Sequence, residues 1–256
     1  ECLGLESGTK FRCVPRLMRI KQGPQRMADQ LLTVYIDYKS PYAYLAVEPT
    51  WTLARDYKVT LEWLPYTLDI PDFLGSAKVN NDGQILENDR TPHQWRRVKY
   101  SYMDARRYAN LRGLTIRGPQ KIWDSSLAGI GLLYAQKHDK FREYNGFVFD
   151  QFWRRELDIE DTEVIQSVLS EIGVDATGFG SFVAGEGRLV HDRIRAEAEK
   201  KGIFGVPTYV LDNEIFWGRE HLPLVRLRLN EMKLTRPGVD VTVDTTHAWR
   251  PLGPGW

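Results

Sequence analysis

The sequence predicts an α/β protein in which a small sheet-bearing domain is interrupted by an inserted all-α domain. Three observations predict it. A strand, a helix and a second strand follow one another between residues 31 and 64. The long middle of the chain carries helical periodicity. A two-strand signal and one more helix then close the patterned part.

Leu31–Asp37 is a run of apolar and β-branched residues and reads as a buried strand. The turn Tyr38-Lys39-Ser40 leads into a helix over residues 41–57, in which Tyr42, Leu45, Ala46, Leu53 and Ala54 fall at helical spacings. Val59–Leu64 is the second strand, and a strand, helix and strand at this spacing form a right-handed unit. Residues 80–200 show no clear strand. They read as helices over about Gln94–Leu111, from near Trp123 to before Asp139, and over about Phe141–Arg154. Shorter helices start at Asp161 and Gly178, and a longer one spans His191–Lys201. The Phe141–Arg154 segment is unusually aromatic. Thr208–Leu211 and Glu214–Trp217 flank Asp212-Asn213, a hairpin signal, and a helix over His221–Met232 follows.

This order is that of a thioredoxin-like fold with an inserted all-α domain. The expected division gives the thioredoxin-like domain residues 31–79 and 191–233, and the insertion 80–190. Residues 1–30 and 234–256 read as tails. The basic first 26 residues lack the apolar stretch of a secretory signal. An organelle-targeting leader fits them, but sequence upstream of a start at Met27 is the preferred expectation.

Of 256 residues, 42% are hydrophobic and 27% charged, enough apolar material for a sizeable core. Lys plus Arg (35) balances Asp plus Glu (34), so nothing in the total asks for nucleic acid or an anionic membrane. The only cysteines are Cys2 and Cys13. That excludes a disulfide framework, a Cys-x-x-Cys redox centre and a cysteine zinc site from residues 14–256. No apolar run approaches a membrane span of about 20 residues. A cytoplasm-like, reducing compartment is the expectation.

Ser40 ends the turn after the first strand, and Pro41 falls at the first helical position. On that pair alone an ordinary helix start is the simpler reading. The same position offers free N–H groups and the positive end of a helix dipole, which stabilise an anion such as a thiolate. A serine hydroxyl adds a charge-assisted hydrogen bond. Gly205-Val206-Pro207-Thr208 enters the third strand. A proline there is by base rate trans. In a thioredoxin-like fold it is the place of a cis proline facing the first helix, with the Val206 backbone open to a bound peptide.

These motifs together resemble the 2-hydroxychromene-2-carboxylate isomerases. That group includes kappa-class glutathione transferases and is related to DsbA-type oxidoreductases. The matching residues are Tyr35-Ile36-Asp37-Tyr38-Lys39-Ser40-Pro41-Tyr42-Ala43-Tyr44-Leu45-Ala46, Phe204-Gly205-Val206-Pro207-Thr208 and Phe216-Trp217-Gly218-Arg219-Glu220-His221-Leu222. The stretch Tyr100–Gly113, with Asp104 and Arg107, is also similar. The resemblance covers about residues 31–233. It implies glutathione as cofactor, a homodimer, and a small aromatic substrate, with neither nucleic acid, membrane nor metal as partner. It places Ser40 at the glutathione sulfur and Val206, beside Pro207, at the cysteinyl backbone. Phe216-Trp217-Gly218-Arg219-Glu220 falls in the loop that holds the γ-glutamyl end, with Gly218, Arg219 and Glu220 as its binding residues; where the family pattern often has a small polar residue followed by Asp, this sequence has Arg219-Glu220. Asn80 falls where relatives place a glutathione-contacting Asn.

The implied activity is glutathione-dependent isomerisation of an aromatic or conjugated carboxylate through a reversible adduct. Glutathione transfer and a non-catalytic thioredoxin-fold protein are the alternatives. Trp123, Phe149 and Trp153 are candidates for an aromatic wall, although core packing is the simpler reading of each. His93, His138, His191, His221 and His247 show no metal-ligand spacing and read as solvated or capping residues. Arg96, Arg97, Lys99, Arg106, Arg107 and Arg112 read first as a solvated helix face.

Overall fold

The computed structural model describes residues 29–240, 242 and 243, so Cys2, Cys13, most of the expected N-terminal tail and the end of the C-terminal one lie outside the described residues. Strand β1 (Gln30–Ile36) runs into helix α1 (Pro41–Asp56) and strand β2 (Val59–Pro65). A short helix α2 (Ile70–Leu74) and a hairpin of β3 (Ala77–Val79) and β4 (Ile85–Asn88) follow. Helices α3 (Pro92–Leu111), α4 (Ser126–Lys137), α5 (Phe141–Arg154), α6 (Thr162–Glu171), α7 (Phe179–Ala184) and α8 (Glu186–Lys200) come next. The chain closes with β5 (Thr208–Leu211), β6 (Glu214–Trp217), a 3-10 turn (Arg219–His221) and α9 (Leu222–Glu231).

The main sheet has the order β2-β1-β5-β6. β1 and β2 are parallel, and the other two pairings are antiparallel. This is the thioredoxin-like α/β fold with a block of helices between its halves. The hairpin Asp212-Asn213 forms as the sequence predicts, with Asp212 at φ 54°.

The expectation of no strand over 80–200 is corrected by β4. Its four residues are all exposed. A strand without a buried face leaves no alternating pattern to read. Its turn is built by Asn80, whose Oδ1 accepts from the N–H groups of Asp82 (3.0 Å) and Gln84 (2.9 Å).

Helix α1 runs through Pro49, which has no N–H for the Leu45 carbonyl. Arg112, at the end of α3, supplies the missing donor: its Nη1 donates to Leu45 O at 2.5 Å. Arg112, itself exposed, thereby ties the end of α3 to α1. Arg96, Arg97, Lys99, Arg106 and Arg107 are exposed. Residues 234–236 also dock on α1: Lys58 N–H donates to Leu234 O (2.8 Å) and Arg236 N–H to Asp56 O (2.9 Å).

The core is continuous across both halves. Trp153, Phe149 and Tyr144 of α5 are fully buried, and Phe149 stacks on Tyr44 of α1 at 5.3 Å. Burying aromatic faces of this size is the largest apolar contribution available to the fold.

Candidate functional site

The site begins at the end of β1. Asp37 is buried, and its carboxylate accepts from the Lys39 N–H (3.1 Å) and the Leu68 N–H (2.7 Å). Its carbonyl accepts from the Ser40 N–H at 3.0 Å. Asp37 therefore shapes the turn that carries Ser40. The buried Lys39 ammonium lies 3.7 Å from Asp37 Oδ2 and donates to Trp123 O at 3.1 Å. Sequence reasoning gave Asp37 and Lys39 no role. An Asp directly after a buried strand and three residues before a cap was the available signal.

Ser40 is the N-cap of α1, with extended backbone (φ −93°, ψ 114°). Its Oγ accepts from the Ala43 N–H at 3.2 Å and donates to Val206 O at 3.5 Å. The Val206–Pro207 bond is cis. Pro41 brings no N–H, Ala43 and Tyr44 bond back to Ser40, and the Tyr42 N–H has no partner among the described residues. No acidic residue sits in the first turn to oppose the dipole.

Tyr42 fastens this turn to the insertion. Its hydroxyl donates to Asp104 Oδ2 of α3 at 3.1 Å. Burial, then the Asp104 charge, push the Tyr42 pKa up to about 12, so the group stays a neutral hydroxyl at ordinary pH.

The loop after β6 closes the other side. Gly218 N–H donates to Pro207 O at 2.8 Å, at a φ of 102° that favours glycine. Arg219 lays its guanidinium 3.7 Å over the Tyr108 ring. Its Nε is shut off from water and has no hydrogen-bond partner among the described residues. Glu220 is exposed.

The structure thus brings Ser40 onto Val206, beside the cis Pro207, and ties Gly218 of the loop after β6 to Pro207. Asn80 is different: its side chain is committed to the β3–β4 turn, where Nδ2 also donates to Gln84 Oε1 at 2.9 Å. Of the suggested aromatic wall, Phe149 and Trp153 are 0% exposed and touch no solvent. Trp123 is half-buried and lines a surface cavity of about 320 Å³ with Pro119, Gln120, Phe152, Arg155 and Leu157. His191 is buried, not solvated: α8 turns it inward, where Nε2 lies 2.9 Å from Thr67 Oγ1 and Nδ1 3.0 Å from Asp192 Oδ1. No group of three or more His, Cys, Asp or Glu among the described residues could hold a metal ion.

A polar cap beside a cis proline at the sheet end is the arrangement the sequence reading expects of a thioredoxin-like fold. Residues 31–230 match the profile of the DsbA-like thioredoxin domain, and the chain belongs to that family. A protein from Pseudomonas putida named 2-hydroxychromene-2-carboxylate isomerase is 26% identical over 216 residues, covering 83% of this chain and 99% of that protein. One of the same name from Sphingobium xenophagum is 27% identical over 191 residues, covering 73% and 92%. Among solved structures, a 2-hydroxychromene-2-carboxylate isomerase superposes with a TM-score of 0.60 at 22% identity, covering 79% of this chain and 96% of that one. The Pseudomonas aeruginosa cytosolic disulfide reductase DsbM, solved with GSH, superposes with a TM-score of 0.51 at 14% identity, covering 79% and 97%. These likenesses agree on the fold.

Proposed function

We propose that this protein is a glutathione-dependent isomerase of an aromatic or conjugated carboxylate of the 2-hydroxychromene-2-carboxylate kind. The observation that carries the reading is the Ser40 hydroxyl, held at the N-terminus of α1 and 3.5 Å from Val206 O. At that length its proton makes a weak bond and is free to turn toward a sulfur. Three further observations fit the cofactor: the Tyr42 N–H and the Arg219 Nε, each without a partner among the described residues, and the Val206 main chain beside a cis proline. The names of the curated relatives support the reaction class.

Bound glutathione would supply a thiolate that adds reversibly to a conjugated double bond and leaves after rotation about the resulting single bond. The chain's own residues set this up. The α1 dipole and the Ser40 O–H favour the thiolate over the thiol. Val206 pairs with the cysteinyl backbone. Arg219 takes a carboxylate at the γ-glutamyl end, and Glu220 its ammonium. Ser40 stabilises the anion and is not itself the nucleophile. Residues 14–256 hold no cysteine, so the described residues bring no thiol of their own to disulfide exchange. The same reading has the protein working as a homodimer in a reducing compartment.

Isothermal titration calorimetry with reduced glutathione is the test. Binding at millimolar ligand or tighter is expected, with turnover of 2-hydroxychromene-2-carboxylate that depends on added glutathione. No heat at millimolar glutathione would sink the reading.

A further inference from the structure

Arg219 and Arg226 both lay a guanidinium over a tyrosine ring, and the two are held differently. Arg226 lies 5.5 Å over Tyr57 and also pairs with Asp56 at 2.9 Å, so its charge is neutralised within the fold. Arg219 lies closer, 3.7 Å over Tyr108, and has no carboxylate partner among the described residues. The residue is half-buried, and its Nε is sealed from water without a hydrogen-bond partner there. A cation partly withdrawn from water and left unpaired is a costly arrangement in the absence of an anion.

The loop after β6 sets where Arg219 stands. Gly218 N–H holds that loop to Pro207 O at 2.8 Å, so Arg219 follows directly on the contact with the cis-proline turn. Burial raises the pKa of Tyr42 and of Tyr209, and the Arg219 charge opposes it at both hydroxyls. The Tyr209 hydroxyl lies 3.0 Å from Thr50 Oγ1 of α1. The guanidinium is therefore on the α1 side of the sheet. Tyr108 comes from α3, one turn on from Asp104, which accepts from the Tyr42 hydroxyl at 3.1 Å. One helix of the insertion thus grips the start of α1 through Asp104 and the loop after β6 through Tyr108.

An unsupported arginine samples many rotamers, and ordering it at the moment of binding weakens its hold on a ligand. Stacked on a ring, it is ordered in advance. The stack covers a face of the guanidinium, and the N–H donors point outward in its plane, where a carboxylate is taken edge-on.

We infer that Tyr108 is a positioning residue of the glutathione site, its ring holding Arg219 ready for the carboxylate of the γ-glutamyl end. The inference rests on the glutathione reading and gives the insertion a part in it. Acting through Arg219, Tyr108 sets the affinity for the cofactor rather than the chemistry at its sulfur.

Calorimetry with reduced glutathione tests this. Tyr108 is 41% exposed, so replacing it leaves the core intact. Tyr108→Ala and Tyr108→Leu each weaken glutathione binding by about three- to tenfold, since leucine keeps apolar bulk but no ring face. Tyr108→Phe keeps the ring and stays within about twofold of the unmodified protein. Arg219→Met weakens binding at least as much as Tyr108→Ala, and in that background Tyr108→Ala weakens it by less than about twofold more. Equal losses in the two backgrounds overturn the inference, by giving Tyr108 a general part in packing α3. So does unchanged affinity in Tyr108→Ala, or affinity in Tyr108→Leu as high as in Tyr108→Phe. Unchanged affinity in Arg219→Met overturns it while the cofactor reading stands. Absence of glutathione binding by the unmodified protein is the separate result that ends the cofactor reading, and this inference with it.

Discussion

Helices α1 and α3 begin alike in sequence, Ser40-Pro41 in one and Thr91-Pro92 in the other. Their first turns are completed differently. Thr91 sits in a reciprocal capping box: Gln94 N–H donates to Thr91 Oγ1 at 3.2 Å, and Gln94 Oε1 accepts from the Thr91 N–H at 2.8 Å and its hydroxyl at 3.1 Å. The Thr91 hydroxyl and N–H both find local partners there, while the His93 N–H, like that of Tyr42, has none among the described residues. In α1 the residue corresponding to Gln94 is Ala43, which cannot reach back. The Ser40 proton is left with a 3.5 Å contact to another segment, and the Tyr42 N–H has no partner among the described residues. The difference lies in the hydroxyl proton: that of Thr91 is held by Gln94 within its own helix turn, and that of Ser40 faces the backbone of another segment.

The sharpest way to break that contrast is to remove both hydroxyls in turn. On the proposed glutathione reading, Ser40→Ala deletes a charge-assisted bond to the sulfur, of about 1.5–3 kcal/mol, so kcat/KM for glutathione-dependent turnover falls roughly 10- to 100-fold. Its cost in stability is about 1 kcal/mol, as for any lost cap. Thr91→Ala has a similar cost in urea unfolding but changes turnover less than about twofold. Wild-type turnover by the Ser40→Ala protein would erase the distinction.

The interior of α1 supplies a second test. Pro49 leaves the Leu45 carbonyl short of a donor, and Arg112 of α3 meets it. Arg112→Met strands that carbonyl, at a cost of about 1–3 kcal/mol in urea unfolding. In a Pro49→Ala background the helix regains its own N–H, and the same Arg112→Met change then costs less than half as much. Equal costs in both backgrounds would show that Arg112 supports α1 in some other way.

These cases also show where the sequence stopped being legible. β1, α1, β2 and the β5–β6 hairpin were readable because apolar periodicity and turn chemistry are local. So was the Ser40–Pro207 pairing, since strand order places both at one sheet end. The β3–β4 hairpin was not, because Ile85 and Leu86 are both exposed and leave no pattern. Arg112 looked like one more cation in a basic stretch. Its function depends on a carbonyl left open by a proline in another helix, which no window along the chain contains. Of the aromatic-wall candidates Trp123, Phe149 and Trp153, the two in α5 are turned inward by helical packing. Tyr108 and Arg219 lie far apart in the chain and meet only when α3 is folded against the loop after β6.

The smallest predicted effect concerns the side of α1's first turns that faces away from Ser40. Tyr42 donates to Asp104 of α3 and Tyr44 to Asp150 of α5, at 3.1 and 3.4 Å. Burial first, then the neighbouring carboxylate, raise each hydroxyl to about 12. An unfolded tyrosine ionises near 10. The folded pKa is the higher one, so this contribution to stability is fully present below about pH 10 and is lost as pH rises from about 10 to about 12. Tyr42 is partly open to solvent, so its share of the loss is shallow. Urea midpoints taken at pH 9 and pH 11 should fall more for the unmodified protein than for Tyr42→Phe or Tyr44→Phe. Glutathione affinity at pH 7 should change little in Tyr42→Phe, because its hydroxyl anchors α1 to the insertion rather than to the ligand. Identical alkaline slopes in all three proteins would remove the tyrosine anchors from the account. A large loss of glutathione affinity in Tyr42→Phe would instead show that α1 cannot present Ser40 unless α3 holds the opposite side of the same turn.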